Sequence, residues 1–134
     1  MSEMIENTGM DRQKLETFIL ETYPASADRP WLQYPNYEVF RHSSNQKWFA
    51  VIMDLPKSKL GLQGEERIDA VNLKCGPILV GSLLMENGFF PAYHMRKDSW
   101  ITVALDGSVA DDKIKMLLDV SYQATAPKVR KKKG

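Results

Sequence analysis

The sequence predicts an α+β two-layer sandwich, a five-stranded antiparallel sheet with helices on one face, in the order α-β-β-β-α-β-β-α. Three observations lead there. Helical periodicity marks both ends of the chain, at Leu15, Phe18, Ile19 and Thr22 and again at Ile114, Leu117, Leu118, Ser121 and Tyr122. Five runs between them are alternating or rich in aromatic and β-branched residues. Local turns separate neighbouring runs, which favours antiparallel pairing over long crossovers.

Taken in order, the first helix runs from about Met10 to Tyr23, with Asp11 placed to cap it and Pro24 to stop it. Ala25 to Asn36 carries Pro30 and Pro35 among Trp31 and Tyr34, and reads as a fixed loop whose aromatics pack onto something. Tyr37 to His42 alternates, with Tyr37, Val39 and Arg41 on one face and Glu38, Phe40 and His42 on the other. The polar turn Ser43–Gln46 joins it to a second strand, Lys47 to Asp54, as a hairpin. A loop over 57–66 with Gly61 and Gly64 leads to a third strand from Ile68 to Lys74.

Pro77 suits the first position of a short helix, where its missing N–H costs nothing. Ile78, Leu79, Leu83 and Met85 make that helix apolar nearly all round, so it is expected to be covered, and Asn87-Gly88 ends it. Ala92–Lys97 and Trp100–Leu105 read as two strands joined by a tight turn at Asp98-Ser99, with Ile101, Val103 and Leu105 on one face. In the closing helix Ser108 and Asp111 have capping-box spacing, and Asp111 and Asp112 place negative charge in the first turn.

The chain has 134 residues, enough for one domain with a core of its own. Of its 18 Lys and Arg, five are Lys128, Arg130, Lys131, Lys132 and Lys133; the other 13 face 17 Asp and Glu, a net of −4. The expected organisation is a domain over 10–125, between a disordered stretch at 1–9 and a basic disordered tail at 126–134. No run approaches the roughly 20 apolar residues of a membrane span, so a cytoplasmic protein with no membrane partner is expected. The single Cys75 fits the same compartment.

Few residues offer chemistry. With only His42, His94 and Cys75 there is no zinc-like ligand cluster, and Cys75, ending an apolar strand, is expected to be buried and inert. Gly61-Leu62-Gln63-Gly64 lacks the Lys-Ser/Thr of a phosphate loop. The carboxylate pairs Glu65-Glu66 and Asp111-Asp112 suit a loop and a helix start. No catalytic residue, metal or cofactor is expected.

The candidate binding surface is the sheet's open side. There Tyr93, His94, Met95, Arg96, Lys97 and Trp100 share a hairpin, beside Lys47-Trp48-Phe49 and Asn72-Leu73-Lys74. With Trp48 turned to the helices, Lys47 and Phe49 face the open side. Lys47, Lys74, His94, Arg96, Lys97 and Trp100 then make a face suited to an anion, a base or a backbone phosphate. Ordinary cross-strand pairs on a solvated sheet face produce the same pattern.

The runs Tyr34–His42 and Asn45–Ala50, the strand end Asn72-Leu73-Lys74-Cys75, the stretch Tyr93–Val103 and the pair Ser121-Tyr122 together resemble the MmcQ/YjbR-like family over about residues 10–125. The resemblance implies a frataxin-like α+β fold, a bacterial cytoplasmic protein without defined catalytic residues, and DNA binding through a double-wing arrangement. The family's polar hairpin falls on His94, Lys97 and Trp100, with Lys47 and Lys74 on neighbouring strands. Here Arg96 stands where Asn is common, and Asp98-Ser99 replaces a basic residue and a His. Two readings lead: sequence-tolerant binding of duplex DNA through the hairpins, or a small-ligand or protein-interaction module using the Trp31–Tyr37 loop and the His94/Trp100 face. A third that the frataxin-like fold implies, iron binding by an acidic first helix, ranks last because Asp11, Glu16 and Glu21 there are interspersed with Arg12 and Lys14.

Overall fold

Asp11 caps the first helix as its position suggests. Its side chain accepts a hydrogen bond from the Lys14 N–H at 2.8 Å, and α1 spans Arg12–Thr22 with Leu15 and Ile19 fully buried. This computed structural model describes residues 9–127. The disordered ends expected at 1–9 and 126–134 therefore lie outside the described residues, apart from Gly9, Ala126 and Pro127.

The remaining strands and α-helices among the described residues are β1 (Ala25–Asp28), β2 (Glu38–His42), β3 (Trp48–Pro56), β4 (Arg67–Lys74), α2 (Pro77–Leu83), β5 (Phe89–Pro91), β6 (Trp100–Ala104) and α3 (Asp111–Thr125), with a 3-10 turn at Lys57–Leu60 between β3 and β4. The sheet is antiparallel with strand order β1-β2-β3-β4-β6-β5. Among the described residues it has six strands rather than the expected five. The extra one is β1, whose Ala-Ser-Ala-Asp sequence carries no β-branched or aromatic signal. It is a strand because β2 offers it a free edge, in the register Ala25 to His42 through Asp28 to Val39. The Asp28–Arg41 ion pair, at 3.3 Å, holds that register.

The expected strand at Ala92–Lys97 is instead a loop. Pairing with β6 starts earlier, at Phe89, and ends at Pro91, which has no N–H to continue a ladder. Beyond it His94 takes a left-handed backbone, φ 64°. The Tyr93 N–H goes to the Thr102 hydroxyl at 3.0 Å and the Trp100 N–H to the Arg96 carbonyl at 2.9 Å. Before β5, Gly88 has φ 90° and sits against Val109 and Ser108, so a side chain there would collide with both.

All three helices contribute to one core. Leu15 and Ile19 of α1, Val80 and Leu83 of α2, and Ile114, Leu117 and Leu118 of α3 meet sheet residues including Phe40, Ile52, Val71, Leu73, Ile101 and Val103. α2 is less covered than its composition suggests: Ile78 is 88% exposed, as is Met85 just beyond the helix at 87%. A seven-residue helix reaches the sheet with one i, i+3 pair and leaves its other side outside. The capping box at Ser108 also does not form. Ala110 is the N-cap, without a side-chain bond, and the Ser108 hydroxyl lies 2.6 Å from an Asp106 carboxylate oxygen.

His42 belongs to this core. It stacks on Tyr122 at 4.0 Å, and its Nε2 lies 2.8 Å from the Thr125 hydroxyl. Burial holds its pKa below the ordinary value, so it packs as a neutral ring. Burial likewise pushes the half-buried Cys75 thiol up, away from a reactive thiolate. Among the described residues no helix is long and apolar enough to cross a membrane, and no group of three or more His, Cys, Asp or Glu is placed to hold a metal ion.

Candidate functional site

The sheet's other face carries a second core rather than a solvated polar surface. Val39, Val51, Met53, Leu55, Ile68, Ala70 and Ala104 pack there, with Tyr37, Trp31, Trp48, Phe90 and Tyr93 against them. Two loops overhang this face: the Pro-flanked segment 29–37, and 92–99 between β5 and β6. Between them lies a pocket of about 370 Å³. Val51, Met53 and Asn72 line it from the sheet, Trp31, Gln33, Tyr34 and Tyr37 from the first loop, and Tyr93, His94 and Met95 from the second, with Trp48 completing the ring.

A β-bulge puts Trp48 there. Phe40 pairs with Ala50 but Arg41 pairs with Trp48, so Phe49 has no partner across the ladder. Phe49 and Ala50 both turn to the helices, and Trp48 turns to the pocket with the Arg41 guanidinium 5.6 Å above its ring. This reverses the expectation that Trp48 faces the helices and Phe49 the open side. Strict alternation fails across an inserted residue, and nothing in Lys47–Ala50 announces one. Ser121 of α3 stabilises the irregularity, donating to the Phe49 carbonyl at 2.6 Å and accepting from the Lys74 N–H at 2.8 Å.

The second loop is fastened from beneath. Asn72, 1% exposed, donates to the Tyr93 carbonyl at 2.9 Å and accepts from the Thr102 hydroxyl, which in turn accepts the Tyr93 N–H. By contrast, the hydroxyls of Tyr34, Tyr37 and Tyr93, the His94 ring and the Gln33 amide make no hydrogen bond to any protein group among the described residues. Burial, then the neighbouring Tyr93 and Tyr34, pushes the Tyr37 pKa up to about 12, so its hydroxyl keeps its proton at any physiological pH.

Of the six residues expected to form a site, only His94 lines the pocket. Arg96 is paired with Asp98 at 2.9 Å, and the Lys97 ammonium reaches back to the Ala92 carbonyl at 2.9 Å, closing its own loop. Lys47 stands exposed beside the β2–β3 turn, and Lys74 is half-buried at the end of β4. Trp100 is buried rather than presented for stacking. His42 and His94 lie on opposite faces of the sheet, so no single centre joins them. Sequence reasoning missed Gln33, Val51 and Met53 as pocket residues. The alternation Val51-Ile52-Met53 held the signal for the last two, once the bulge before it is known.

The family model for YjbR matches residues 20–124. The chain belongs to the YjbR family. The YyaQ protein of Bacillus subtilis is 38% identical over 116 residues, 87% of this chain and 98% of that protein. The YjbR protein of Escherichia coli K12 is 42% identical over 59 residues, 43% of this chain and 50% of that protein. A crystal structure from Pseudomonas syringae superposes with a TM-score of 0.85 at 44% identity, over 87% of this chain and all of that one. Protein DR2400 of Deinococcus radiodurans shares the fold at a TM-score of 0.67 and 21% identity, over 90% of this chain and 81% of that one.

In this YjbR-family chain the first loop is clamped from behind by charge. Arg12 of α1 donates to the Asn36 carbonyl and Arg29 to the Pro35 carbonyl, the latter at 3.1 Å. Both arginines also approach Glu16 and Glu38, at 3.3 to 3.8 Å. One Glu38 carboxylate oxygen is buried without a hydrogen bond. Burial and the adjacent Glu16 carboxyl outweigh the two guanidiniums and push the Glu38 pKa up to about 7. A carboxyl raised on folding holds its proton more tightly in the folded state, so its contribution is fully present below about pH 4.5 and is lost as pH rises through about 7. Glu38→Gln is therefore expected to gain about 1–2 kcal/mol relative to wild type between pH 5 and pH 8. Urea denaturation of both proteins at the two pH values reads it, and the difference between them removes the opposing contribution of His42. An equal pH slope in the two proteins would contradict it.

Proposed function

We propose that this protein is a binding module that holds a small uncharged molecule in the pocket between its two overhanging loops. One observation carries the reading: a concave site walled by aromatic rings, with no Lys, Arg, Asp or Glu among its lining residues. Its volume of about 370 Å³ falls at the lower end of small-molecule sites, roughly 300–1,000 Å³. The reading prefers the small-ligand alternative to DNA binding through the second loop. Arg96 and Lys97 of that loop are engaged locally, and affinity for a duplex needs several cations free to displace counterions from phosphate.

The test uses the full chain. Trp31 and Trp48 belong to the pocket wall, so binding of a compact neutral ring compound from a fragment set is expected to change their fluorescence. It should also raise the melting temperature, by an amount that grows with ligand concentration. Trp31→Ala, at a half-exposed position, should keep the fold and lose both responses. Duplex DNA is the comparison arm. Salt-steep binding that falls in a Lys47→Glu, Lys97→Glu variant, with no fragment bound at the pocket, would replace this reading with the nucleic-acid one.

A further inference from the structure

We propose that the pocket selects planar heteroaromatic rings bearing hydrogen-bond acceptors, such as a ring carbonyl or ring nitrogen. This rests on the small-molecule reading above and names its ligand class.

The walls favour a flat ring. Trp31 stands nearly perpendicular to both Tyr37, at 6.1 Å and 81°, and Trp48, at 5.6 Å and 86°. Rings crossed in this way present faces and edges to one cavity, so a planar guest can stack on one and meet the edge of the other. Charge then narrows the choice. No Lys, Arg, Asp or Glu lines the pocket. The neighbouring charges are Arg41, over the Trp48 ring and paired with Asp28, and the mutually paired Arg67 and Asp54 beside Tyr37, so neither an anion nor a cation meets an unpaired counter-charge on the walls.

Aromatic faces alone could hold a quaternary ammonium, and here the polar groups decide. The hydroxyls of Tyr34, Tyr37 and Tyr93, the Gln33 amide and the His94 ring have no protein partner among the described residues. Gln33, Tyr34 and His94 are exposed and keep water as a partner, so the cost falls on the hydroxyls of the buried Tyr37 and half-buried Tyr93. A guest without acceptors that covers them leaves them dry, at a loss on the order of tenfold in affinity per group. A heterocycle with acceptors on its rim meets them instead. Tyr37 is the strongest determinant, because its ring is buried and its hydroxyl remains a donor.

Four probes of similar size separate the alternatives by calorimetry on the full chain: quinolin-2-one, naphthalene, 2-naphthoate and benzyltrimethylammonium. Quinolin-2-one is expected to bind at least tenfold more tightly than the other three. Tyr37→Phe and Tyr93→Phe each remove one oxygen that no other protein group uses, so both should fold as wild type by circular dichroism. Each should weaken quinolin-2-one by about five- to tenfold and leave naphthalene within about twofold. Naphthalene, the anion or the cation binding as tightly as quinolin-2-one would overturn the ligand class while leaving a small-molecule pocket in place. Unchanged quinolin-2-one affinity in both variants would overturn it too. If neither these probes nor the wider fragment set binds, the small-molecule reading itself fails.

Discussion

Asn72→Leu is expected to lower the melting temperature by roughly 10 °C, the loss of about 3 kcal/mol in a domain of this size. The substitution nearly conserves volume at a site that is 1% exposed, so packing is little disturbed and the change is polar. Two bonds to oxygen partners vanish together, to the Tyr93 carbonyl and from the Thr102 hydroxyl, with a weaker one to the Met53 sulfur at 3.7 Å. The Tyr93 carbonyl loses its side-chain donor, and the buried Thr102 hydroxyl is left as an acceptor of the Tyr93 N–H with nothing to donate to. The cost is about 1–3 kcal/mol apiece, which outweighs the extra apolar contact that leucine brings. Because Tyr93 and Thr102 tie the second loop to the sheet, the Tyr93 amide should also lose protection from hydrogen exchange. A melting temperature within about 2 °C of wild type would show that the network adds little to folding.

Ser121→Ala is expected to cost about 2–4 kcal/mol, far more than an exposed serine, because one hydroxyl serves two backbone groups that the sheet leaves over. The bulge leaves the Phe49 carbonyl turned toward α3, and the Lys74 N–H lies at the end of β4; Ser121 satisfies both, at 2.6 and 2.8 Å. Alanine removes both bonds at a side chain that is fully buried. Chemical denaturation measures the loss. Trp48 fluorescence reports a second consequence, since the start of β3 is then free to revert to simple alternation. A loss below about 0.5 kcal/mol, typical of neutral surface changes, would mean that the bulge holds without α3.

How much was legible in the sequence depended on whether a pattern survived locally. The stripes Leu15/Ile19 and Ile114/Leu117/Leu118/Ser121 are local periodicities, and they mark the buried faces of α1 and α3. The two-face division of Tyr37–His42 holds for the same reason. β1 was not legible, because an Ala-Ser-Ala-Asp strand exists only through its neighbour's hydrogen bonds. β5 was misplaced because the strand ends at Pro91, just before the Ala92–Lys97 stretch in which it was expected. Of the six candidate site residues, only His94 coincides with the pocket. Choosing basic residues as the binding set presupposed a polar open face, whereas loop aromatics distant in sequence cover it. Arg96 and Lys97 then proved to be engaged within their own loop. The aromatic run Trp31–Tyr37 was visible as a contact surface, but its meeting with Tyr93 and His94 is a tertiary fact with no local signature.

The cores on both faces of β3 and β4 have a kinetic consequence. Strands buried on two sides open only with the whole molecule, whereas loops 29–37 and 92–99 are held by a few bonds each and can open at lower free energy. On the proposed small-molecule reading, a guest would exchange by loop excursions while the central strands stay paired. Residence time would be set by those excursions and not by the lifetime of the fold.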